Sequence, residues 1–461
     1  MKKQLVSILL TLCMVLPLMP TAAWAVEEPV AEVAATVQIG EAITEYDSFA
    51  AAWAAASEAS STEDNPAKVT LYQDVTTGTN APASWPILVA EEKYIALNLN
   101  GYDINGGEET TNVLRIEGTL TLNDSGATPR TRYGYWSEDT YSIGSSPAST
   151  GHYDVLTGGI ISSNALGEGA WEGCVHIGLR GTFTMNGGVI AGGKRSGIYI
   201  ETNENNGKID TPTYGHFVMN GGTIAGNASS GVNAPRTTTG QKEDIGFRMN
   251  NGEILNNRSN YGGGVNGAIE MYGGLIAYNQ AEEGGGIYNR SGRAVHINKG
   301  TISYNSAGNG GGICGDLTTI LLEKDGVVSN NSAQNGGGIW VNEGEYSGGI
   351  VAAGKVTYNT AENYGGGIYS CGKVEDRLNG TAEVSYNEAD CGGGIYLIIT
   401  NGWYPTPIEG DEGSTVSHNK AKTNGGGIYL QGGENMSPCD PDINVAITKP
   451  DKMAADGILR R

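Results

Sequence analysis

The chain has 461 residues, of which 72 are glycine, and its formal net charge is −22 at pH 7. This negative charge argues against nucleic acid and against an anionic membrane surface as partners. It also disfavours an enzyme that degrades polyuronates, because the cleft of such an enzyme usually has to be basic.

Residues 1–25 have the pattern of a secretory signal peptide. Lys2 and Lys3 precede an apolar run from Leu5 to Met19, and Ala23-Trp24-Ala25 provides a cleavage site. No second apolar segment of the sequence is long enough to cross a membrane. The sequence therefore predicts a secreted protein, extracellular or at the cell surface, without a membrane span.

Five cysteines follow the predicted cleavage site, and their spacing matches no metal-binding motif. They are Cys174, Cys314, Cys371, Cys391 and Cys439. An odd number leaves at least one thiol unpaired within a monomer, and the sequence has no CxxC pair. We therefore expect neither a metal nor another cofactor, and the disulfide state stays open.

The N-terminal part of the mature chain is predicted to cap a repeating structure. Residues 26–45 are rich in Ala, Val and Glu without a strand pattern, which predicts a mobile leader. A short amphipathic helix is predicted over 46–56, with Asp47 or Ser48 as its N-cap. Three predicted strands follow, and with the helix they form an N-terminal cap and first coils over 46–124: Lys68–Val75, Tyr94–Leu99 and Val113–Leu122.

An aromatic, irregular insertion at residues 125–157 separates this cap from a repeat that extends over 158–433. A Gly-Gly-Gly-Ile phrase recurs at Gly284–Ile287, Gly310–Ile313, Gly336–Ile339, Gly365–Ile368, Gly392–Ile395 and Gly425–Ile428, and a version with valine lies at Gly262–Val265. An Ile/Val-x-x-Asn motif comes before each phrase, and its asparagines lie 22 to 32 residues apart: Asn257, Asn279, Asn305, Asn331, Asn359, Asn387 and Asn419. This period suits one turn of a solenoid, and the alternating apolar residues suit strands with one buried face.

The repeat predicts an all-β fold, a parallel β-helix of roughly a dozen coils with a short N-terminal capping helix. Consecutive glycines provide positive φ at a corner and let the backbones of stacked turns approach closely. Asparagine tolerates left-handed backbone geometry, and its amide can bond the amide of the next coil. We therefore expect the seven asparagines to form a structural ladder. Residues 434–461 form a C-terminal tail, either folded over the last coil or part of an incomplete cap.

Two stretches of the sequence resemble known families. The order of helix, Val69–Val75 (VTLYQDV), Ile95–Tyr102 (IALNLNGY) and Gly118–Asp124 (GTLTLND) resembles the opening of secreted bacterial pectin-lyase-like β-helix proteins. The repeats are similar to those of chlamydial polymorphic outer-membrane proteins, which are adhesins and pair a GG-aliphatic phrase with Phe-x-x-Asn. The resemblances cover about Tyr46 to Leu430 and imply a right-handed parallel β-helix. They leave the chemistry open, because this fold hosts lyases, hydrolases, epimerases and adhesins.

An outward aromatic column is the best binding-site hypothesis. The residue after each inward aliphatic side chain points outward, and from the middle of the chain onward this position is mostly aromatic: Tyr288, Trp340, Tyr369, Tyr396 and Tyr429. These rings either pack on one another as a ladder or form a platform for pyranose rings or a partner protein. Four other tyrosines precede ladder asparagines and are expected either to face inward or to line the corner, with the core as the preferred interpretation: Tyr278, Tyr304, Tyr358 and Tyr386.

The best candidate for catalysis is a cluster on one exposed face of the early coils: His176, Arg180, Tyr199 and Glu201. A β-eliminating lyase needs a base that takes the proton α to a carboxylate, and a cation that stabilises the enolate. This set contains both kinds of group. The paired aspartates and the Gly-His-Gly phrase of polygalacturonase-type hydrolases have no match in this sequence.

The sequence therefore favours a secreted or surface-associated, adhesin-like protein that binds carbohydrate through the aromatic column and has no catalytic centre. Its expected partner is a glycan or a host or cell-surface protein, and its oligomeric state stays open. The first alternative is a polysaccharide lyase or another carbohydrate-active β-helix enzyme. The second is a structural spacer within a larger surface protein.

Overall fold

The computed structural model describes residues 32–77, 80, 84–108, 110, 112–126, 129–163, 173–203, 214–234, 246–290, 294–342, 349–372, 377–399, 409–410, 413–432 and 458–460. The predicted signal peptide and Cys439 lie outside these residues, as does most of the predicted tail. The chain divides into Met1–Val33 and Ala34–Arg461, and the second unit contains every element given below.

The fold of the described residues is all-β, with one helix and long parallel sheets. Its strands are numbered β1 to β45 in chain order. The first sheet holds 24 of them: β1 Ala35–Ile39, β2 Ala42–Tyr46, β3 Ala67–Leu71, β4 Val75–Thr76, β6 Tyr94–Asn98, β7 Ile104–Asn105, β9 Thr119–Asn123, β13 Ile160–Ser162, β15 Thr182–Met185, β16 Val189–Ala191, β18 His216–Met219, β19 Thr223–Ala225, β21 Phe247–Met249, β22 Glu253–Leu255, β24 Glu270–Met271, β25 Leu275–Ala277, β27 Val295–Ser303, β30 Thr319–Ser329, β33 Gly349–Ala352, β34 Lys355–Thr357, β37 Arg377–Leu378, β38 Glu383–Ser385, β41 Glu409–Gly410 and β42 Thr415–Ser417.

Two further parallel sheets complete the coils. The second sheet has 13 strands: β5 Ile87–Val89, β8 Leu114–Ile116, β14 Gly173–Ile177, β17 Ser196–Ile200, β20 Val232–Asn233, β23 Val265–Asn266, β26 Ile287–Asn289, β29 Ile313–Asp316, β32 Ile339–Asn342, β36 Ile368–Gly372, β40 Ile395–Ile399, β44 Ile428–Gly432 and β45 Ile458–Arg460. The third sheet has five: β28 Ser306–Asn309, β31 Ser332–Asn335, β35 Thr360–Tyr364, β39 Glu388–Cys391 and β43 Lys420–Asn424. Each strand pairs with its equivalent one coil away, as in a solenoid. In the tail, β45 pairs with β44 and so extends the second sheet by one strand.

The described part of the predicted leader contains strands. Residues 26–31 lie outside the described part, and after them β1 and β2 form an antiparallel hairpin in which β1 also pairs with β3. The side chains of β1 alternate, because Ala35 and Val37 are buried whereas Thr36 and Gln38 are partly exposed. Small apolar side chains at alternate positions are enough for a strand that has a sheet edge to pair with.

The predicted capping helix is present as α1, Phe49–Glu58. Ser48 is its N-cap, with the Oγ atom accepting a hydrogen bond from the Ala51 N–H at 3.4 Å. Phe49 and Trp53 lie in the main core, and the Trp53 indole N–H donates to the Leu88 carbonyl at 3.2 Å. The helix therefore places two aromatic rings against the first coil, whose apolar interior they cover.

The predicted irregular insertion contains a small lobe of regular structure. Three antiparallel strands form it: β10 Thr131–Ser137, β11 Thr140–Gly144 and β12 Asp154–Thr157. The lobe contacts the solenoid, because the Trp136 indole N–H donates to the Asn256 carbonyl at 2.7 Å. The Arg258 guanidinium also lies over the Trp136 ring, 4.3 Å from its centroid.

The glycine phrase makes the close corner between the second and third sheets. Gly310 has φ +63°, a left-handed conformation that favours glycine, and a Cβ atom there would lie 2.3 Å from the Ile313 carbonyl oxygen. A Cβ atom on Gly311 would lie 2.4 Å from the Ser332 carbonyl oxygen, and one on Gly312 would lie 2.6 Å from the Gly338 carbonyl oxygen. The first glycine is therefore needed for the turn, and the other two for the approach of the next coil.

The seven asparagines form a buried ladder. Asn305 shows the pattern: its Nδ2 donates to the Asn331 Oδ1 at 3.0 Å and to the Ile276 carbonyl at 2.9 Å. Its Oδ1 accepts from the backbone N–H and the Nδ2 of Asn279. The asparagines from Asn257 to Asn387 thus bond the coil on either side, and the Asn419 side chain bonds the preceding coil. Asn227 extends the ladder at its N-terminal end by donating to Asn257 at 2.8 Å.

Substitution of one ladder asparagine should lower the free energy of unfolding more than substitution of an exposed residue does. We expect Asn331→Ala to lower the free energy of unfolding by about 2–4 kcal/mol, because it leaves buried polar groups of two coils unpaired. Asn330→Gly is the matched control, since Asn330 is exposed and has φ +57°. The control should change stability by less than about 1 kcal/mol. Denaturant unfolding followed by circular dichroism measures both, and equal effects would contradict a stabilising ladder.

Candidate functional site

The structure brings three of the four predicted catalytic residues together. His176 and Tyr199 are register partners on β14 and β17, with ring centroids 5.1 Å apart. The His176 Nε2 lies 3.0 Å from the Glu201 Oε2. Arg180 is exposed, and no contact joins it to the others in the described part of the chain. Arg115 on β8 takes its place, 3.7 Å from the Glu201 carboxylate, and the sequence pattern gave no signal for it.

The arrangement of this cluster does not leave a free base. The His176 Nε2 is engaged by Glu201, its Nδ1 is buried, and the whole residue is only 7% exposed. Burial and the nearby Glu201 charge raise the pKa of Tyr199, so that its phenol stays neutral at pH 7. Neither ring is therefore poised to take a proton from a substrate.

The predicted aromatic column is a stacked ladder that is partly covered. Tyr369 and Tyr396 stack with centroids 5.4 Å apart, and Trp340 and Tyr429 continue the stack on either side. Tyr288 is 3% exposed and Tyr396 is 4% exposed. The Tyr364 ring lies 4.6 Å from that of Tyr396 and helps to cover it. The burial of Tyr288 and Tyr396 favours rings that pack on one another over a platform that binds a ligand.

The packed state of this column predicts a pH dependence at high pH. Burial raises the pKa of Tyr369 to about 12, with smaller contributions from Cys371 and Tyr364. The folded chain therefore holds this proton above pH 10, where an unfolded tyrosine releases it. The contribution of Tyr369 to stability should be complete below pH 10 and decline between pH 10 and 12.

Absorbance titration of phenolate formation measures this shift by comparing the wild-type chain with Tyr369→Phe. The difference between the two curves should show one tyrosine that ionises at about pH 12. Tyr272→Phe, which removes an exposed tyrosine just after β24, is the matched control. A difference curve for Tyr369 that coincides with that of Tyr272 would contradict its packing.

Of the two placements expected for the four tyrosines that precede ladder asparagines, the structure has the corner, and the interpretation as core is wrong. Tyr278, Tyr304, Tyr358 and Tyr386 are exposed, because each has φ +58° and so turns its side chain out of the corner. The alternation of an extended strand does not apply at a residue with left-handed backbone geometry. They belong to a column that we term the corner row, whose described members all have positive φ: Asn256, Tyr278, Tyr304, Asn330, Tyr358, Tyr386 and His418.

Most rings of the corner row are stacked. Tyr278 and Tyr304 have centroids 5.1 Å apart and planes 6° apart. Tyr358 and Tyr386 have centroids 4.9 Å apart, and His418 stacks on Tyr386 at the same distance. The spacing is that of the coils themselves, because each ring projects from the same position of its coil.

A polar groove of about 500 Å³ runs beside the corner row on the third sheet. Its walls are hydroxyl, amide and small side chains with a single carboxylate: Gln280, Ala281, Ser306, Ala307, Gly308, Ser332, Ala333, Gln334, Thr360 and Glu362. Ser306, Ser332 and Thr360 each lie two residues after a member of the corner row. Aromatic rings and hydrogen-bonding groups therefore lie side by side along the same coils.

A second cavity, of about 350 Å³, lies between the lobe and the first sheet. Its two carboxylates are engaged: the Arg130 Nη1 is 2.8 Å from the Asp74 Oδ1, and Arg132 pairs with Asp103. The Asp103 Oδ1 also accepts from the Ile160 N–H at 2.8 Å. Burial raises the pKa of Asp103 although Arg132 and the Ile160 N–H oppose the shift. These ion pairs anchor the lobe to the first coils.

Two further features of the described residues concern metal ions and membranes. No group of three His, Cys, Asp or Glu side chains there could hold a metal ion, and no helix of that part is long and apolar enough to cross a membrane. Cys174, Cys314 and Cys391 are free thiols, and burial raises the pKa of Cys174 to about 12.

Comparison with known proteins gives no relative. No protein-family model matches the chain, and no curated protein or solved structure is significantly similar to it. The chemistry of the corner row and the groove is therefore the basis for assigning a function.

Proposed function

We propose that the chain is a secreted, surface-associated protein that binds carbohydrate and does not transform it. Its architecture in this proposal is a right-handed parallel β-helix of roughly a dozen coils. The signal-peptide pattern of residues 1–25 supports secretion. The resemblance of the repeats to those of adhesins supports the handedness and the binding role.

The observation that carries the proposal is the corner row beside the polar groove. A pyranose ring has an apolar face of C–H groups and a rim of hydroxyls, so it is recognised by an aromatic ring together with hydrogen-bonding side chains. Tyr304 and Tyr358 are 52% and 55% exposed, and Ser306 and Thr360 of the groove follow two residues later. The coils repeat both features along the solenoid, which suits a polymer with repeating units.

The corner row supports carbohydrate binding better than the outward aromatic column does. Tyr288 and Tyr396 of that column are nearly inaccessible, whereas the four corner tyrosines are between 37% and 55% exposed. A ring that is already covered has no face left for a sugar. We therefore assign the platform to the corner row and treat the column as packing.

The alternatives are a lyase and a structural spacer, and the described geometry favours neither. A lyase needs a base that reaches the substrate, but His176 and Tyr199 are 7% and 8% exposed. A spacer needs no aligned exposed rings beside a groove. Exposed aromatic surface is costly to keep unless it has a partner.

Substitution of the corner tyrosines tests the proposal. The mature chain should bind a subset of immobilised polysaccharides, and the double variant Tyr304→Ala, Tyr358→Ala should bind them at least tenfold more weakly. Loss of a stacking ring costs about 1–3 kcal/mol in comparable ring-stacking sites, and about 1.4 kcal/mol corresponds to a factor of ten. Affinity electrophoresis in gels containing the polysaccharide gives the dissociation constants.

Tyr272→Ala is the matched control, because Tyr272 is an exposed tyrosine outside the corner row. It should bind as the wild type does. Reducing-end and unsaturated-uronate assays on the same polysaccharides should show no turnover. Turnover that disappears in His176→Ala would show that the protein is a lyase and would contradict the binding function. A loss of binding in Tyr272→Ala as large as that in the double variant would show that the corner row is not the binding site.

A further inference from the structure

The stack of the corner row is interrupted once among its described tyrosines, at Asn330. The ring of Tyr304 precedes this position by one coil, and that of Tyr358 follows it by one coil. Asn330 has the same left-handed backbone as its aromatic neighbours, with φ +57°, and its N–H donates to the Thr357 carbonyl at 3.1 Å. The backbone is therefore continuous through the interruption, and only the ring is absent.

Because Tyr304 and Tyr358 project from equivalent positions on either side of Asn330, the faces of their rings toward Asn330 have no stacked aromatic ring among the described residues. On the N-terminal side, the lobe residue His152 stacks on Tyr278 at 3.7 Å, and Tyr278 stacks on Tyr304. On the C-terminal side, Tyr386 covers the far face of Tyr358. Tyr304 and Tyr358 are accordingly the most exposed of the four, at 52% and 55% compared with 37% and 45% for Tyr278 and Tyr386.

The width of the gap suits a puckered ring. Neighbouring rings of the row are 4.9–5.1 Å apart, so the rings that flank Asn330 are separated by two such steps, roughly 10 Å. A flat ring in contact with one tyrosine at about 3.5–4 Å would leave roughly 6 Å to the other. A pyranose chair carries hydrogens above and below its mean plane and fills more of this space.

Polar side chains lie at the base of the gap and in the adjacent groove. Asn330 is exposed, and its amide offers both a donor and an acceptor. Ser332 and Gln334, two and four residues later, are exposed in the groove. The described lining of the groove contains Glu362 and no basic residue, and the chain carries a net charge of −22. An anionic sugar would therefore be repelled, whereas neutral hydroxyls can be bonded.

We propose that the gap over Asn330 is a subsite for one neutral pyranose residue, held between the rings of Tyr304 and Tyr358. Its hydroxyls bond the Asn330 amide and the Ser332 hydroxyl. This subsite rests on the carbohydrate-binding function proposed above. It specifies the position in the corner row at which aromatic rings contact both faces of one sugar. The remaining rings of the row are already stacked and support the two that bind.

Filling the gap tests the subsite without removing either tyrosine. Asn330→Tyr places a ring in a backbone conformation that tyrosine already adopts four times in this row, so the stack should become continuous and the thermal unfolding midpoint should be unchanged or higher. Asn330→His is a second filled variant, chosen because His418 already stacks in the same row. Asn330→Gly keeps the gap open and is the matched control.

The probes are five neutral hexasaccharides, namely cellohexaose, laminarihexaose, mannohexaose, xylohexaose and chitohexaose, measured by isothermal titration calorimetry with the mature chain. For the probes that the wild type binds, both filled variants should lower the association constant at least tenfold. Asn330→Gly should lower it less than about threefold, because it removes one hydrogen-bonding side chain and leaves the gap open.

Three outcomes would overturn the subsite. In the first, the filled variants bind as the wild type does while the double variant Tyr304→Ala, Tyr358→Ala loses binding. In that case the corner row binds glycan outside the gap, and the proposed function stands. If the wild type binds acidic polysaccharides but none of the five probes, the assignment to a neutral sugar is wrong. If it binds no glycan at all, the proposed function fails together with the subsite.

Discussion

The asparagines inside the ladder each bond both neighbouring coils, and the register of the solenoid depends on this contact. Asn305 donates to the coils on both sides and accepts twice from Asn279, with all four contacts between 2.9 and 3.0 Å. The loss of hydration of a buried amide is compensated only when each of its polar atoms has a hydrogen-bond partner. A slip of one residue would leave a column of buried amides unpaired, so the ladder holds the coils in one register.

That register also determines the surface. The residue before each ladder asparagine must take a left-handed backbone so that the amide can turn inward, and its own side chain is then directed to solvent. Side chains at this position repeat at the spacing of the coils. Tyrosines placed there stack at 4.9–5.1 Å, whereas asparagine in the same place opens a gap. The same constraint therefore produces the buried ladder and the exposed corner row.

The sequence predicts the repeat because its signals are local and periodic. The Gly-Gly-Gly-Ile phrase and the Ile/Val-x-x-Asn motif each indicate one corner, and the structure has parallel strands around them. Asn227 follows the same motif after Ile224, so its place in the ladder could also have been predicted. The capping helix could also be predicted from the sequence, because Ser48 and the two aromatic residues Phe49 and Trp53 are close together in it.

The exposure of individual rings could not be predicted in the same way. Whether Tyr358 faces in or out depends on the sign of one φ angle, and strand alternation gives the wrong answer there. The burial of Tyr288 and Tyr396 depends on Tyr261 and Tyr364, which come from neighbouring segments. The role of Arg115 likewise arises from strand pairing across 60 or more residues, a distance at which no motif signals contact.

One measurement tests the assignment of binding to the corner row most directly. The mature chain is labelled with meta-fluorotyrosine, its fluorine NMR resonances are assigned by single Tyr→Phe variants, and the neutral hexasaccharides are titrated in. The resonances of Tyr304 and Tyr358 should shift with a common saturation curve, while those of Tyr288 and Tyr396 stay in place. Saturable shifts of Tyr288, Tyr369 or Tyr396 with no change at Tyr304 and Tyr358 would contradict the corner row and return the binding site to the outward aromatic column.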